Sequence, residues 1–195
     1  IYDYPMGLYV KGELPDEECP TAAIIGARNC SEYGRQAAGF MGKELARAGI
    51  QIVSGLALGI DGAGHEGALN GKGRTYGVLG CGVNICYPRS NYDLYEAIPF
   101  QGGILSEFGP DEEPMARNFP MRNRIISGLS DVILIMEARK KSGSLITASL
   151  GLEQGKEIFA LPGRITDDLS VGCNELIQSG AGILTSPEDV LDYMG

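Results

Sequence analysis

The sequence contains no tryptophan, a single histidine (His65) and no apolar run that approaches the roughly 20 residues of a membrane-spanning helix. It has five cysteines, an odd number with no repeated C-x-x-C spacing. This composition disfavours a structural zinc site and a secreted disulfide scaffold, and it favours a reducing cytoplasm. No signal-peptide pattern is present, and the first residue is Ile1 rather than methionine. We therefore interpret the chain as part of a longer cytoplasmic protein with no membrane partner.

Positive charge is also in short supply. The 195 residues include 16 Lys and Arg against 25 Asp and Glu, for a net charge of −9. This balance alone disfavours a nucleic-acid partner, because proteins that bind polyanions usually carry excess positive charge. The contents of apolar (44%) and charged (21%) residues are those of an ordinary globular domain, and the length fits one large domain.

Short apolar runs alternate with helical patterns along most of the chain. The runs lie at residues 22–25, 50–53, 76–79, 103–105, 132–136, 158–161 and, more weakly, 182–184. They are nearly continuous in apolar residues, which is typical of parallel strands covered on both faces. Helical spacing links Ala37 to Ala48 and Met121 to Leu129, and a further helix is predicted over Ser144–Gln154. The pattern predicts a single α/β domain with a doubly wound, mainly parallel sheet over residues 21–195, after a polar lead-in segment at residues 1–20.

Glycine and the basic residues concentrate in the segments that follow the predicted strands. Glycine is abundant, at 29 residues. Nine of the 16 basic residues lie in these segments or before the fifth run: Arg28, Arg89, Arg117, Arg122, Arg124, Arg139, Lys140, Lys141 and Arg164. Ligands of doubly wound sheets sit at the carboxyl ends of the strands, and glycine lets the backbone approach an anion closely. The sequence therefore predicts a positively charged rim that binds more than one phosphate.

The first glycine loop does not match a dinucleotide site. It reads G-x-R-x-x-S-x-Y-G, so Arg28 stands where G-x-G-x-x-G would have its second glycine. The second run is followed by Ser54-Gly55 instead of the carboxylate that would bind a ribose, and a P-loop string is absent. The sequence thus predicts no nucleotide cofactor.

Candidate catalytic groups are few. Asp61 and His65 are four residues apart and could share a helix face as a base and its orienting partner, but the sequence fixes no nucleophile beside them. A structural hydrogen bond for His65 is the favoured interpretation. Glu137 ends the fifth run, where it could act as a base or hold a basic neighbour. We predict no catalytic residue and no metal site.

Several specific strings, taken together, resemble the DNA-processing protein A family (DprA/Smf) of bacteria. They include F-P-M-R-N-R at residues 119–124, K-S-G-S-L-I-T-A at residues 141–148 and S-G-L-A-L-G-I-D at residues 54–61. The resemblance covers nearly the whole chain, with Asn84 as a departure where the family usually has an acid. It implies a Rossmann-like domain that binds single-stranded DNA, forms a homodimer and helps to load the RecA recombinase on incoming DNA in natural transformation, with no established catalytic activity.

The residues and the resemblance together give a set of expected DNA contacts. Arg28, Arg122, Arg124 and Lys141 would neutralise phosphates, and the loop amides of Gly26, Gly55 and Gly143 would bind their oxygens. The predicted set also includes Ser31, Gly34, Ser54, Asn123, Ser142, Ser144 and Thr147. Tyr33 and Phe119 could stack on bases or pack in the core.

One alternative comes from a different functional class. Rossmann-like enzymes that cleave the glycosidic bond of nucleoside monophosphates also place a glycine-rich loop and a carboxylate near the strand ends. Their P-G-G-x-G-T-x-x-E string is absent, and residues 142–147 (S-G-S-L-I-T) occupy the comparable region. Binding of DNA is therefore the favoured function.

Overall fold

The computed structural model describes Ile1 and residues 3–195, and within them the chain forms one eight-stranded sheet in the order β1-β5-β4-β3-β2-β6-β7-β8. The strands are β1 (Tyr9–Gly12), β2 (Thr21–Ile25), β3 (Gln51–Ser54), β4 (Thr75–Val78), β5 (Gly102–Ser106), β6 (Val132–Ile135), β7 (Glu157–Ala160) and β8 (Gly182–Ile183). Strand β1 pairs antiparallel with β5, and every other pairing of neighbours is parallel.

Helices cover both faces of this sheet. They are α1 (Glu32–Arg47), α2 (Ile60–Asn70), α3 (Tyr92–Ala97), α4 (Asn118–Leu129), α5 (Gly143–Glu153), α6 (Val171–Gln178) and α7 (Pro187–Met194), with short 3-10 helices at Arg89–Asn91 and Ile98–Phe100. Residues of α1, α2 and α7 form one core layer with the sheet, and residues of α4, α5 and α6 form the other. Successive strand residues such as Ile24 and Ile25 enter opposite layers, as expected of strands buried on both faces.

The seven predicted strands and the doubly wound class are confirmed. Strand β1 was not predicted: it lies within the segment interpreted as a lead-in, and it places residues 9–12 at an edge of the sheet. The boundary of the DNA-binding domain at residue 21 stays a prediction. Helix α4 buries Arg122, Ile125 and Ile126, whereas Met121 is half exposed.

Helices α1 and α2 approach each other closely through glycine. A methyl group at Gly67 of α2 would overlap the carbonyl oxygen of Gly39 in α1, and one at Gly42 would overlap the carbonyl oxygen of Gly64. A methyl group at Gly39 would instead meet the Ala63 carbonyl oxygen at 3.7 Å, an ordinary contact. The two backbones are therefore held together at a distance that only glycine permits at residues 42 and 67.

None of the helices in the described part of the chain has both the length and the apolar character needed to cross a membrane.

Candidate functional site

The candidate site lies where the strand order reverses direction. Strand β2 has β3 on one side and β6 on the other, and the chain leaves β2 and β6 into loops at the same edge of the sheet. Such a switch point is the usual ligand site of doubly wound folds. A cavity of about 620 Å³ opens here, between residues 26–29 after β2 and residues 139–147 after β6. This volume is in the range of small-ligand sites.

Four cationic side chains line this cavity: Arg28, Arg122, Arg139 and Lys141. Arg28 is exposed, and its guanidinium carbon lies 5.3 Å from the centre of the Phe119 ring. Arg139 pairs with Asp168 at 3.6 Å, whereas Arg28 and Lys141 form no ion pair with any described residue. Two cations at the cavity mouth are thus available to an anionic ligand.

Arg122 is buried on the inner side of the cavity, with 4% of its surface exposed. Its Nη1 donates to the carbonyl oxygen of Gly55 at 2.8 Å and to that of Val78. A methyl group at Gly55 would lie 2.7 Å from both Nη atoms, so the missing side chain makes room for the guanidinium. Burial lowers the pKa of Arg122 to about 10, and nearby Asp61 opposes this shift. Arg122 is therefore cationic at neutral pH.

Asp61 is the carboxylate whose charge acts on Arg122. Asp61 lies in the first turn of α2, and its Oδ2 accepts a hydrogen bond from the Gly55 amide at 3.0 Å. Burial raises the pKa of Asp61, and the Arg122 charge lowers it. Asp61 and the backbone carbonyls thereby balance a positive charge that would be costly to bury alone.

The amino terminus of α5 forms another part of the cavity wall. Ser142 is the N-cap, and its Oγ lies 2.7 Å from the Oγ of Ser144. The Asn123 side chain of α4 donates to the Gly143 carbonyl oxygen at 3.4 Å and so links the two helices. A helix amino terminus carries partial positive charge and free N–H groups, which adds to the charge of neighbouring Lys141.

Nine of the predicted site residues come together in this cavity: Gly26, Arg28, Arg122, Asn123, Lys141, Ser142, Gly143, Ser144 and Thr147. Five others lie outside it: Ser31, Gly34, Ser54, Gly55 and Arg124. A DNA contact for any of these residues stays a prediction.

The five outlying residues have partners within the protein. Arg124 donates to both carboxylate oxygens of Glu107, at 2.6 and 2.7 Å, and pairs with Asp3. Ser54 is buried and donates to the Ile24 carbonyl oxygen at 2.6 Å. Gly55 has no side chain and so leaves room for the Arg122 guanidinium. Ser31 donates two hydrogen bonds to the Glu137 carboxylate, and Gly34 packs against that carboxylate.

His65 lies in the core and does not line the cavity. The Thr75 hydroxyl donates its only proton to the Ile52 carbonyl oxygen, so it accepts a hydrogen bond from His65 Nδ1 at 2.7 Å. Burial lowers the pKa of His65 to about 3, which keeps the ring neutral. No group of three or more His, Cys, Asp or Glu side chains in the described residues is arranged to hold a metal ion.

Sequence reasoning missed much of the apolar wall, which includes Tyr87, Pro114, Ile126, Ile146 and Leu169. The Tyr87 and Phe119 rings lie 5.5 Å apart and tilt by 37° at its rim. Phe119 is a predicted candidate for base stacking, whereas the sequence predicts no role for Tyr87.

A family model described as DNA recombination-mediator protein A matches residues 1–195. The chain is 44% identical over 191 residues to DNA processing protein DprA of Streptococcus pneumoniae, covering 98% of the chain and 67% of that protein. It is 47% identical over 193 residues to Protein Smf of Escherichia coli, covering 98% of the chain and 52% of that protein. The chain thus spans half to two thirds of the length of these relatives.

Solved structures of DNA processing protein A also match this chain. An X-ray structure of the Streptococcus pneumoniae protein matches with a TM-score of 0.94 over 98% of this chain and 68% of that one. A structure of DNA processing protein A from Helicobacter pylori, concerned with its single-stranded DNA binding mode, matches with a TM-score of 0.89 at 35% identity, over 100% of this chain and 89% of that one. A molybdenum cofactor binding protein from Rippkaea orientalis, with a TM-score of 0.66 at 20% identity over 92% of this chain and 97% of that one, shares the fold alone.

Proposed function

The chain belongs to the family of DNA recombination-mediator protein A, the DNA-processing proteins named DprA or Smf, and on this premise we propose that it binds single-stranded DNA in the switch-point cavity and acts as a recombination mediator. The observation that carries the proposal is the group of four cationic side chains around one cavity in a chain whose net charge is −9. A local positive potential of this kind attracts phosphates even when the whole protein is acidic.

The shape of the cavity favours a single strand over a duplex. An unpaired nucleotide can enter a concave site and place its base against apolar walls, whereas the bases of a duplex are stacked and paired. The rim offers Phe119 and Tyr87, and the inner side offers Arg122 and the amino terminus of α5. These side chains would contact the phosphate backbone of the DNA and the flat faces of its bases, which differ little between nucleotides. We therefore expect little preference for a particular DNA sequence.

Assembly and partners form part of the same proposal. We expect the protein to form a homodimer in the cytoplasm and to help load the RecA recombinase on incoming DNA during natural transformation. Support for self-association comes from the apolar stretch Leu176–Leu184, whose Ile183 side chain is 53% exposed on the edge strand β8. Support for a role in recombination comes from the description of the family as recombination mediators, and RecA as the partner is what the resemblance implies.

We propose that binding occurs without catalysis. Asp61 is engaged by the Gly55 amide, His65 lies away from the cavity, and Glu137 accepts two hydrogen bonds from Ser31. Incubation with AMP should therefore release no adenine. Free adenine would favour the alternative function, hydrolysis of nucleoside monophosphates.

The decisive experiment is a salt series of anisotropy titrations with a labelled oligothymidylate and a blunt hairpin duplex of the same number of nucleotides. We expect the single strand to bind more tightly. Its log affinity should fall with log salt at a slope of roughly −2 to −4, for about three to five neutralised phosphates. A flat salt response, or equal affinity for the duplex, would contradict the proposal.

A further inference from the structure

Glu137 places a negative charge at the amino terminus of α1. It follows β6, is 2% exposed, and reaches across the switch point to the residues that begin α1. Its carboxylate accepts hydrogen bonds from the backbone N–H of Ser31 at 2.8 Å and from the Ser31 hydroxyl at 2.5 Å. Ser31 is the N-cap of α1, so the carboxylate occupies the place where a helix usually attracts an anion.

The first turn of α1 is built around this carboxylate. A methyl group at Gly34 would lie 2.5 Å from Glu137 Oε2 and would overlap the carboxyl carbon. Glycine within a helix lowers stability by about 1 kcal/mol relative to alanine. Gly34 is nevertheless required here, because any side chain at this buried position would overlap the Glu137 carboxylate. Burial raises the pKa of the Cys30 thiol and of the Tyr33 phenol, and the negative charge of Glu137 adds to the rise in both.

The position of this charge matters because of the fold. In doubly wound sheets that bind dinucleotides, the pyrophosphate sits at the amino terminus of the helix that follows the first parallel strand. Here that strand is β2 and that helix is α1. We propose that Glu137 is a resident anion that excludes pyrophosphate-bearing ligands, namely nucleoside diphosphates and dinucleotides, and leaves the amino terminus of α5 as the phosphate site of the cavity.

This proposal concerns which ligands are rejected, and it goes beyond the binding of single-stranded DNA. The carboxylate lies on the α1 side of the switch point, while Lys141, Ser142 and Gly143 lie on the α5 side. A single phosphodiester bound at the amino terminus of α5 does not extend to the Glu137 carboxylate. A pyrophosphate that also extended to α1 would meet a buried negative charge that has no counterion among its hydrogen-bond partners.

The test measures the affinity of inorganic pyrophosphate by calorimetry at constant ionic strength, in the wild type and in Glu137→Gln. The matched control is Glu66→Gln, which removes one negative charge from an exposed position of α2 outside the cavity. We expect the control to bind pyrophosphate as the wild type does. Glu137→Gln should bind it roughly three- to tenfold more tightly, the size expected for a charge at a helix terminus.

A second variant, Glu137→Ala, empties the place of the carboxylate. We expect it to melt at a lower temperature than the wild type in chloride, and to recover part of that loss in acetate at the same ionic strength, because acetate can replace the missing carboxylate. Equal pyrophosphate affinity in wild type and Glu137→Gln would overturn the proposal, as would an acetate effect of the same size in the wild type. If Glu137→Ala does not fold, the pyrophosphate comparison still decides. Failure of the wild type to bind single-stranded DNA would overturn the proposed function and leave this comparison unaffected.

Discussion

Arg122 combines a structural role with a place at the ligand site. Its Nη1 donates hydrogen bonds to the carbonyl oxygens of Gly55, just after β3, and of Val78, at the end of the neighbouring strand β4. The same residue also lines the cavity. Removing its charge would leave only hydrogen bonds, such as that from the Gly55 amide, to offset the charge of buried Asp61, at a cost of about 3–5 kcal/mol. Loss of DNA binding in an Arg122 variant would therefore report unfolding as readily as a lost contact. Arg28 and Lys141, which are both exposed, are better probes of the site.

We predict that Arg28→Ala and Lys141→Ala each weaken single-strand binding roughly ten- to hundredfold. A charge-assisted hydrogen bond to a phosphate contributes about 1.5–3 kcal/mol. Neither side chain forms an ion pair within the described chain, so its removal breaks none. Anisotropy titrations with labelled oligothymidylate measure the change, and circular dichroism melts should show that both variants keep the wild-type stability.

The matched control is Arg47→Ala, which removes one exposed arginine from the opposite end of α1. It changes the net charge equally, so it separates local contacts from the overall potential. Affinities of Arg28→Ala and Lys141→Ala equal to that of this control would show that the cavity is not the DNA site.

His65 makes stability depend on pH. Its pKa is about 3 in the folded protein against 6.5 ordinarily, so below pH 6.5 the unfolded chain binds a proton that the folded ring refuses. The contribution is therefore fully present above pH 6.5 and is lost as the pH falls toward 3. The loss is about 1.4 kcal/mol per pH unit, or roughly 2 kcal/mol between pH 6.5 and 5.

Urea unfolding at these two pH values, in wild type and His65→Gln, measures this contribution. Glutamine cannot take up a proton in this range but can still donate to Thr75, so the wild type should lose about 2 kcal/mol more than the variant. Other titrating groups affect both proteins and cancel in the comparison. Parallel losses in the two proteins would show that His65 does not titrate as described.

At the scale of secondary-structure elements, the contact between α1 and α2 fixes where the loop after β3 lies. Helix α2 begins at Ile60, just beyond that loop, and carries Asp61 toward Arg122. The Gly67 and Gly42 positions set how closely the two helices pack. A change in the separation of the two helices would therefore displace Asp61 beside the cavity as well as side chains in the core.

We predict that Gly67→Ala destabilises the protein by roughly 2–4 kcal/mol, because the added methyl group overlaps the Gly39 carbonyl oxygen and forces the helices apart. Gly39→Ala is the control on the facing helix: its methyl group meets an ordinary contact, and alanine favours the helix by up to about 1 kcal/mol. Chemical denaturation measures both. A Gly67→Ala protein as stable as Gly39→Ala would show that the helices can separate without penalty.

The central elements could be predicted because their residues follow simple rules. Parallel strands buried on both faces are continuous apolar runs, and Gly49 and Gly155, both with positive φ, mark the ends of α1 and α5. Strand β1 escaped prediction because it is short, largely exposed and contains Lys11. Its pairing with β5 depends on residues about 90 positions away, which no local pattern reveals.

The cavity was predicted only in part for a related reason. Loops at the carboxyl ends of strands can be located from the strand pattern, and this placed Gly26, Arg28 and residues 141–144 correctly at one rim. The burial of Arg122 could not be inferred, since arginine is rarely buried without partners and its partners here are backbone carbonyls. Arg124, two residues further on, pairs with Glu107, which lies 17 residues away in the sequence, so no local pattern reveals this ion pair.

At the scale of the whole molecule, the sheet ends in the short strand β8, which pairs with β7 on one side. We predict that the protein is a dimer at micromolar concentration, with light scattering giving about twice its 20.7 kDa. Ile183→Asp would bury a charge in such an interface and should shift the mass toward one chain. A single-chain mass for the wild type would contradict this prediction, and an Ile183→Asp protein that remained dimeric would place the interface elsewhere.

The two walls of the cavity come from distant parts of the chain: Arg28 follows β2, whereas Arg122 and Lys141 come about 100 residues later. During synthesis, the ribosome therefore releases the first wall long before the second. A nascent chain that ends before α4 has Arg28 but lacks Arg122, Lys141 and the α5 helix terminus. The cavity is completed only after β6 pairs with β2 and the chain has continued through α5 to Leu169, so translation itself delays the appearance of a binding surface until the sheet has grown past its midpoint.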